Sequence, residues 1–202
     1  PPPRRAAALA TVRKRSHARG WQAILQAMLF CAGIDEAGYG PMFGPLTIAR
    51  CVLALPGMTG DDDPPQLWQA LSGAVCRELT GRKGRIAVND SKKIYSSSKG
   101  LAHLETGVLT FAALAGKQPA TLGDWLTDLG ETCHHDLSAT PWYHPTDDRP
   151  WARLPAAVTP QEIGIARNML AAAAAKAGVR VMDLGAAVVF EDRYNQMVSQ
   201  TR

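Results

Sequence analysis

The sequence has no apolar run of about 18 or more residues, the length that a membrane-spanning helix requires. It also has no Cys-x-x-Cys pair, and its four cysteines are widely spaced: Cys31, Cys51, Cys76 and Cys133. This spacing differs from the disulfide frameworks of small secreted domains and is typical of reduced, buried thiols. The two absences predict a cytoplasmic protein that does not associate with membranes.

Acidic residues are missing from the first 34 positions, which carry six Lys and Arg residues. The whole chain has 22 basic and 18 acidic residues, a net charge of +4. Without residues 1–34 the balance is 16 basic against 18 acidic side chains, a net charge of −2. The positive charge therefore belongs to the amino-terminal segment and does not by itself indicate nucleic-acid binding.

The amino-terminal segment, residues 1–27, begins with Pro1 and is followed by Met28 and an apolar run. Its arginines and its lack of acids suit an organelle transit peptide, although it holds a single serine. The same features suit a basic arm that binds phosphates. We favour a third interpretation, in which Met28 is the initiator and residues 1–27 are a leader that is disordered or not native.

The composition is that of a soluble globular protein, because apolar residues make up 46% of the chain and charged residues 20%. Residues 28–202 are therefore expected to form one domain. Strands are predicted at 29–34, 45–55 and 179–190, and helices at 65–79, 97–114, 121–129 and 159–177. This order predicts an α/β fold in which a mixed sheet is flanked by helices.

Two further features qualify this outline. Thr159 and Glu162 form a capping box at the start of the helix predicted at 159–177, and Gly178 supplies its end. Residues 116–158, rich in proline and tryptophan, are predicted to be an insertion with little regular structure. Its aromatic residues either anchor the segment to the core or stack on nucleic-acid bases, and we favour the anchoring role.

The most informative stretch is GIDEAGYGPMFGP, residues 33–45, where two acids follow an apolar run and precede a glycine-rich turn. Carboxylates are the ligands that Mg²⁺ and Mn²⁺ prefer, and pairs of such ions act in phosphodiester hydrolysis. Adjacent residues on a strand point to opposite faces, so Asp35 and Glu36 can share one ion only if Glu36 already lies on the turn. Gly38 and Gly40 permit such a bend.

The string G-I-D-E-A-G-x-G-P-x-x-G-P, followed about fifty residues later by N-D-S-K-K at Asn89–Lys93, resembles the type 2 ribonuclease H family. The resemblance covers roughly residues 29–114, somewhat under half of the chain. It implies a ribonuclease-H-like fold with Asp35 on the first central strand. It also implies endonucleolytic cleavage of the RNA strand in RNA–DNA hybrids by a water nucleophile, with Mg²⁺ or Mn²⁺ as cofactor. The products in that family carry 3′-hydroxyl and 5′-phosphate ends.

The resemblance also assigns roles to individual residues. Asp35 and Glu36 match the first two of the family's four metal-binding carboxylates. Gly38, Tyr39 and Gly40 match a substrate-reading loop, where main-chain groups approach the 2′-hydroxyl that separates RNA from DNA. Asn89–Lys93 matches a loop near the substrate backbone, and Lys92 and Lys93, next to Ser91, can neutralise phosphates.

The chain departs from the family pattern at Tyr39, where an arginine is usual. A tyrosine can stack on a base or donate one hydrogen bond, but it cannot offer a charged fork to a phosphate. Weaker recognition of a single ribonucleotide embedded in DNA is therefore expected, with less effect on the cleavage of longer hybrids.

The third and fourth carboxylates of the family's set have two candidate locations. Asp183, followed by Leu-Gly, fits the third superficially, and Asp192 would then be the fourth. We favour the alternative that both lie beyond Arg202, which makes this chain an amino-terminal fragment of a divergent, monomeric family member. If the remaining carboxylates are absent altogether, the chain is instead a non-catalytic module that binds hybrids or RNA.

Overall fold

The fold is given by a computed structural model, whose description covers most of the chain after the predicted leader. The described residues are 28–38, 44–58, 66–95, 98, 100–130, 143 and 145–200. The leader, residues 1–27, lies outside them.

The larger sheet consists of three antiparallel strands, β1 (Met28–Ala37), β2 (Leu46–Pro56) and β5 (Arg180–Val189), in the order β1–β2–β5. β1 continues three residues beyond its predicted end, whereas β2 and β5 agree with their predicted bounds to within one residue. The central strand, β2, pairs with β1 along its whole length and with β5 through a register that shifts between Val52 and Leu53. Since all pairings are antiparallel, the carboxyl ends of β1 and β5 lie at the same end of the sheet.

One face of this sheet carries the main core. Leu29 and Cys31 of β1 are buried together with Leu53 and Leu55, their partners on β2. The long helix α5 (Pro160–Ala177) packs against this face through Ala166, Leu170 and Ala174. A helix that packs on a sheet needs apolar residues three or four positions apart on the helix and at alternate positions on the strands. Both patterns are present here.

The remaining helices are shorter. They are α1 (Leu67–Ala70), α2 (Ser91–Ile94), α3 (Ala102–Leu114), α4 (Leu122–Asp128) and α6 (Glu191–Gln200). The capping box predicted for α5 is confirmed, because the Thr159 hydroxyl accepts from the Glu162 amide and the Glu162 side chain accepts from the Thr159 amide. Gly178 closes the same helix in the left-handed conformation. No helix among the described residues is long and apolar enough to cross a membrane.

The helix predicted at 65–79 is wrong in length, because only Leu67–Ala70 is helical. The chain then leaves the helix and forms β3 (Val75–Cys76), which pairs in parallel with β4 (Ile86–Ala87). Val75 and Ile86 are both buried in the main core. The apolar residues of this segment have helical spacing, but a turn and a short strand bury them instead. Periodicity alone does not distinguish these two structures.

The segment predicted as an irregular insertion, residues 116–158, has one short helix among its described residues, α4, which begins with a Thr121–Asp124 capping box. Trp151 packs so closely on Gly123 that a Cβ at this glycine would lie 2.7 Å from the indole ring. Trp151 and Tyr143 also pack against Val188 and Phe190 at the end of β5. For these two aromatic residues the favoured anchoring role is therefore confirmed.

The α/β class is confirmed: helices pack on an antiparallel three-stranded sheet, and the two-residue β3–β4 ladder supplies the parallel pairing. The sheet at the candidate site is thus antiparallel, whereas a mixed sheet was predicted. The three strands nevertheless place the acids of β1 and the start of α6 at one end, which is where the candidate site lies.

A buried hydroxyl on α3 offers a first test of the packing. Thr110 is 0% exposed, and its Oγ1 has no hydrogen-bond partner among the described residues. Replacing Thr110 with valine is expected to raise the free energy of unfolding by about 1 kcal/mol, because a buried, unpaired hydroxyl is exchanged for a methyl group of the same shape. Chemical denaturation measures the change.

The matched control is Thr106→Val on the same helix, because the Thr106 hydroxyl donates to the Ala102 carbonyl at 2.7 Å. That variant should bring no gain in stability. Equal effects of the two substitutions would show that the Thr110 hydroxyl is not an unpaired group in solution.

Candidate metal and nucleic-acid site

The candidate site lies at the end of the sheet where β1 ends and where β5 leads into α6. Ala37 pairs with Thr47, and Thr47 pairs with Val188, so the ends of β1 and β5 are level across β2. Asp35 and Glu36 of β1 lie at this end of the sheet, as do Glu191 and Asp192 of α6.

Asp35 is exposed near the carboxyl end of β1, opposite Ala49 of β2. Its Oδ1 accepts a hydrogen bond of 3.0 Å from the backbone N–H of Glu36. This bond fixes the orientation of the carboxylate while leaving Oδ2 available to a cation or to water.

Glu36 does not lie on the turn, because β1 continues in register to Ala37 and Glu36 pairs with Ile48. The condition under which both acids could ligate one ion is therefore not met. Asp35 shares a face with Cys31, whereas Glu36 shares the opposite face with Ile34. Each carboxylate can supply oxygens to a cation on its own face of the strand.

Gly38 allows two segments of the chain to approach each other closely. A Cβ at this position would lie 3.0 Å from the Pro45 carbonyl oxygen and 3.1 Å from the Leu46 Cα. The glycine is thus needed for the contact between the end of β1 and the start of β2, independently of any ligand. The other two residues of the predicted substrate-reading loop, Tyr39 and Gly40, lie outside the described residues.

Ser91, Lys92 and Lys93 form the exposed first residues of α2, which packs against α3. The preceding Asp90 caps this helix, since its Oδ1 accepts from the Lys92 amide at 2.8 Å. Buried Ile94 holds α2 on the core. Both lysine side chains are therefore presented to solvent by a fixed backbone, as phosphate contacts require.

Asp183 cannot join the acids of β1. It lies opposite Val52, three residues along β2 from Ala49, the partner of Asp35. At about 3.3 Å per residue along a strand and about 4.8 Å between strands, the Cα atoms of Asp35 and Asp183 are roughly 14 Å apart. The two side chains also lie on opposite faces of the sheet. The fit of Asp183 to a third carboxylate beside Asp35 is therefore wrong.

Asp183 instead forms an ion pair with Arg50, whose Nε donates to Oδ2 at 2.9 Å. Asp192, the other candidate carboxylate, lies exposed in the first turn of α6. Among residues 28–200, excluding the positions that the structure does not describe, no three His, Cys, Asp or Glu side chains are close enough together to hold a metal ion.

Sequence reasoning missed Glu191, the residue before Asp192. Its Oε1 accepts a hydrogen bond of 3.3 Å from the Tyr143 hydroxyl, and the Tyr143 ring meets Phe190 edge to face at 5.4 Å. The available signal was an acid pair that follows an apolar run, as Asp35 and Glu36 do. The partnership with Tyr143 spans 48 positions and could not be read from the sequence.

The Arg50–Asp183 pair has a neighbour whose ionisation it affects. Burial raises the pKa of the Cys51 thiol above its ordinary value, and the negative charge of Asp183 raises this pKa further. Replacing Asp183 with asparagine removes that charge and is expected to speed alkylation of Cys51 at pH 8 by roughly twofold to fivefold, because the thiolate is the reactive form. Iodoacetamide labelling followed by peptide mass spectrometry gives the rate.

Cys76 in the same molecules is the internal reference, and its labelling rate should not change. Slower labelling of Cys51 in the variant would contradict the expected direction of the pKa change. A parallel increase at Cys76 would instead indicate a general loosening of the fold.

Comparison of the chain with protein-family models, with curated proteins and with solved structures gives no significant match in any of the three.

Proposed function

We propose that this chain is a type 2 ribonuclease H-like protein that hydrolyses the RNA strand of RNA–DNA hybrids with the help of divalent metal ions. The observation that carries the proposal is the exposed pair Asp35–Glu36 at the carboxyl end of β1, immediately before the glycine-rich connection to β2. The second motif, Asn89–Lys93, presents Lys92 and Lys93 on the surface. The proposal rests on the combination, since either motif alone also occurs as an ordinary turn.

The chemistry of the acid pair suits Mg²⁺ or Mn²⁺, because both ions prefer carboxylate oxygens and tolerate water in their remaining coordination positions. The geometry limits how the pair can be used, since the two carboxylates lie on opposite faces of β1. Asp35 and Glu36 would therefore hold ions separately rather than chelate one together. When bound, such ions lower the pKa of a water nucleophile and neutralise charge on the phosphate.

The chain's own residues would perform the remaining tasks. The backbone from Gly38 to Gly40 would read the ribose 2′-hydroxyl, which is the chemical difference between an RNA and a DNA strand. Lys92 and Lys93 would contact backbone phosphates of the same substrate. Cleavage would leave 5′-phosphate and 3′-hydroxyl ends. A ribonuclease-H-like arrangement, a monomeric state and a cytoplasmic location belong to the same proposal.

A second function is favoured by a specific observation. Asp183, which could have completed the acid set, is paired with Arg50 and lies on the face of the sheet opposite to Asp35. With two separated carboxylates alone, the chain would act as a module that binds hybrids or RNA without cleaving them. Its affinity would then rest on phosphate contacts and would fall steeply with salt concentration.

The test is a cleavage assay with four end-labelled substrates of the same sequence: an RNA–DNA hybrid, double-stranded RNA, double-stranded DNA and single-stranded RNA. If the chain is the proposed nuclease, products form from the hybrid alone, and they form in Mg²⁺ or Mn²⁺ but not in EDTA. Binding of the hybrid without products in either metal would support the binding module instead. Equal cleavage of all four substrates, or equal affinity for all four, would contradict both functions.

A further inference from the structure

The strongest feature outside the acid pair is Arg50, in the middle of the central strand β2. Arg50 lies opposite Ile34 of β1 and opposite Gly185 of β5. Its side chain therefore points to the face of the sheet that is turned away from α5, which we call the open face. Ile34 and Ile48 lie on the same face, where they are 61% and 38% exposed.

The guanidinium group of Arg50 is held in place from two sides. Its Nε donates to Asp183 at 2.9 Å, and the group lies flat over Gly185, where a Cβ would overlap the guanidinium carbon. A glycine within a strand weakens the strand, so its presence here marks a close approach. These contacts fix the orientation of the guanidinium group, while the Arg50 side chain remains 50% exposed to solvent.

The two terminal nitrogens of Arg50 have no hydrogen-bond partner among the described residues. A guanidinium group anchored through Nε keeps a planar set of donors whose spacing matches two oxygens of a phosphate.

Glu36 lies on the same face and close by. It is opposite Ile48, which is two residues from Arg50 on β2, so Glu36 and Arg50 are diagonal neighbours about 7–8 Å apart at their Cα atoms. A phosphate bound by Arg50 would therefore lie next to the Glu36 carboxylate. A cation between these two negative groups would lower their repulsion, which is the role already proposed for the metal ion at Glu36.

We propose that Arg50 is a phosphate-binding residue, and that it holds a backbone phosphodiester of the nucleic acid on the open face beside Glu36. The nucleic-acid part of this proposal rests on the proposed function, whereas the affinity for a phosphate group does not. Asp183 and Gly185 are positioning residues, because they set the plane of the guanidinium group without contacting the ligand.

The experiment compares two variants that disturb Arg50 differently. Arg50→Gln removes the charge, and Gly185→Ala keeps the charge but displaces the guanidinium group, which is the flexible end of a side chain. The matched controls are Arg180→Gln, an exposed arginine at the far end of β5, and Gly164→Ala, where a new Cβ meets no atom within 4 Å. Thermal melts verify that all four variants are folded.

The first readout is independent of nuclease activity. Inorganic pyrophosphate is titrated into the ¹⁵N-labelled protein, and the Nε–H signal of Arg50 is followed by NMR. A saturable shift in the wild type that disappears in Gly185→Ala, but persists in Gly164→Ala, is the expected result. The absence of a saturable shift in the wild type overturns the proposal.

The second readout is the affinity for an RNA–DNA hybrid in EDTA as a function of salt concentration. Arg50→Gln should weaken binding roughly threefold to tenfold and reduce the salt slope by about one unit, whereas Arg180→Gln should do neither. Hybrid binding that is the same in Arg50→Gln and the wild type overturns the nucleic-acid assignment while leaving the proposed function intact. A pyrophosphate site in a protein that does not bind hybrids contradicts the proposed function and identifies a free phosphate compound as the ligand of Arg50.

Discussion

Under the proposed nuclease function, replacing Asp35 with asparagine is expected to lower the rate of hybrid cleavage roughly 100- to 1000-fold, because a carboxylate that binds the metal would support several kcal/mol of transition-state stabilisation. Asparagine has the same shape, and its side-chain oxygen can still accept from the Glu36 amide. The exposed position means that no buried contact is lost. The melting temperature should therefore stay the same while the rate falls, and single-turnover cleavage with excess protein measures the change.

The control is Asp147→Asn, which changes an exposed carboxylate in a turn outside both motifs. It should cleave the hybrid at the rate of the parent protein. Cleavage that persists unchanged in Asp35→Asn would exclude Asp35 as a metal ligand. A rate that falls together with the melting temperature would point to a structural role for this side chain.

Replacing Glu105 with alanine is expected to lower the free energy of unfolding by about 2 kcal/mol, since one carboxylate here holds three consecutive backbone amides. Oε1 accepts from Ala156 at 2.6 Å, and Oε2 accepts from Ala157 at 2.6 Å and from Val158 at 3.1 Å. These contacts fasten the end of the irregular segment to the first turn of α3. Water can reach part of the freed backbone, which keeps the expected cost below the sum of three charged hydrogen bonds.

Two comparisons make this prediction specific. Glu105→Gln retains an oxygen acceptor but loses the charge, so its destabilisation should lie between those of Glu105→Ala and the parent protein. Glu78→Ala, at an exposed glutamate, should change the stability by no more than about 0.5 kcal/mol. Hydrogen exchange should show faster exchange at the amides of residues 156–158, and unchanged protection there would refute the proposed clamp.

Local chemistry accounts for what the sequence could predict of this fold. The capping box at Thr159 and the glycine at 178 fixed both ends of α5, because each acts within a few residues. Apolar runs located β1 and β2 for the same reason. Helical periodicity failed after Ala70, where Val75 pairs with Ile86 instead of continuing the helix, since that pairing depends on a segment eleven positions away.

The candidate site shows the same limit. The motif around Asp35 located the acid pair, but the sequence could not show that β1 keeps its register through Glu36 and Ala37. Nor could it show that Asp183 faces away from Asp35 and binds Arg50, because the bond joins residues 133 positions apart. Register between distant strands is decided by which side chains become buried together, and a single sequence does not reveal it.

The order of the strands also has a consequence for how the chain folds. β1 and β2 are close in sequence and can form a hairpin early, but β5 joins β2 through pairs such as Leu46 with Val189, more than a hundred positions apart. Closing so long a loop costs entropy before the contacts are made, and contacts of this range slow folding to milliseconds or longer. Until β5 and α5 arrive, Leu53 and Leu55 lie uncovered on the hairpin. The time before that step is therefore when the nascent chain is most exposed to aggregation.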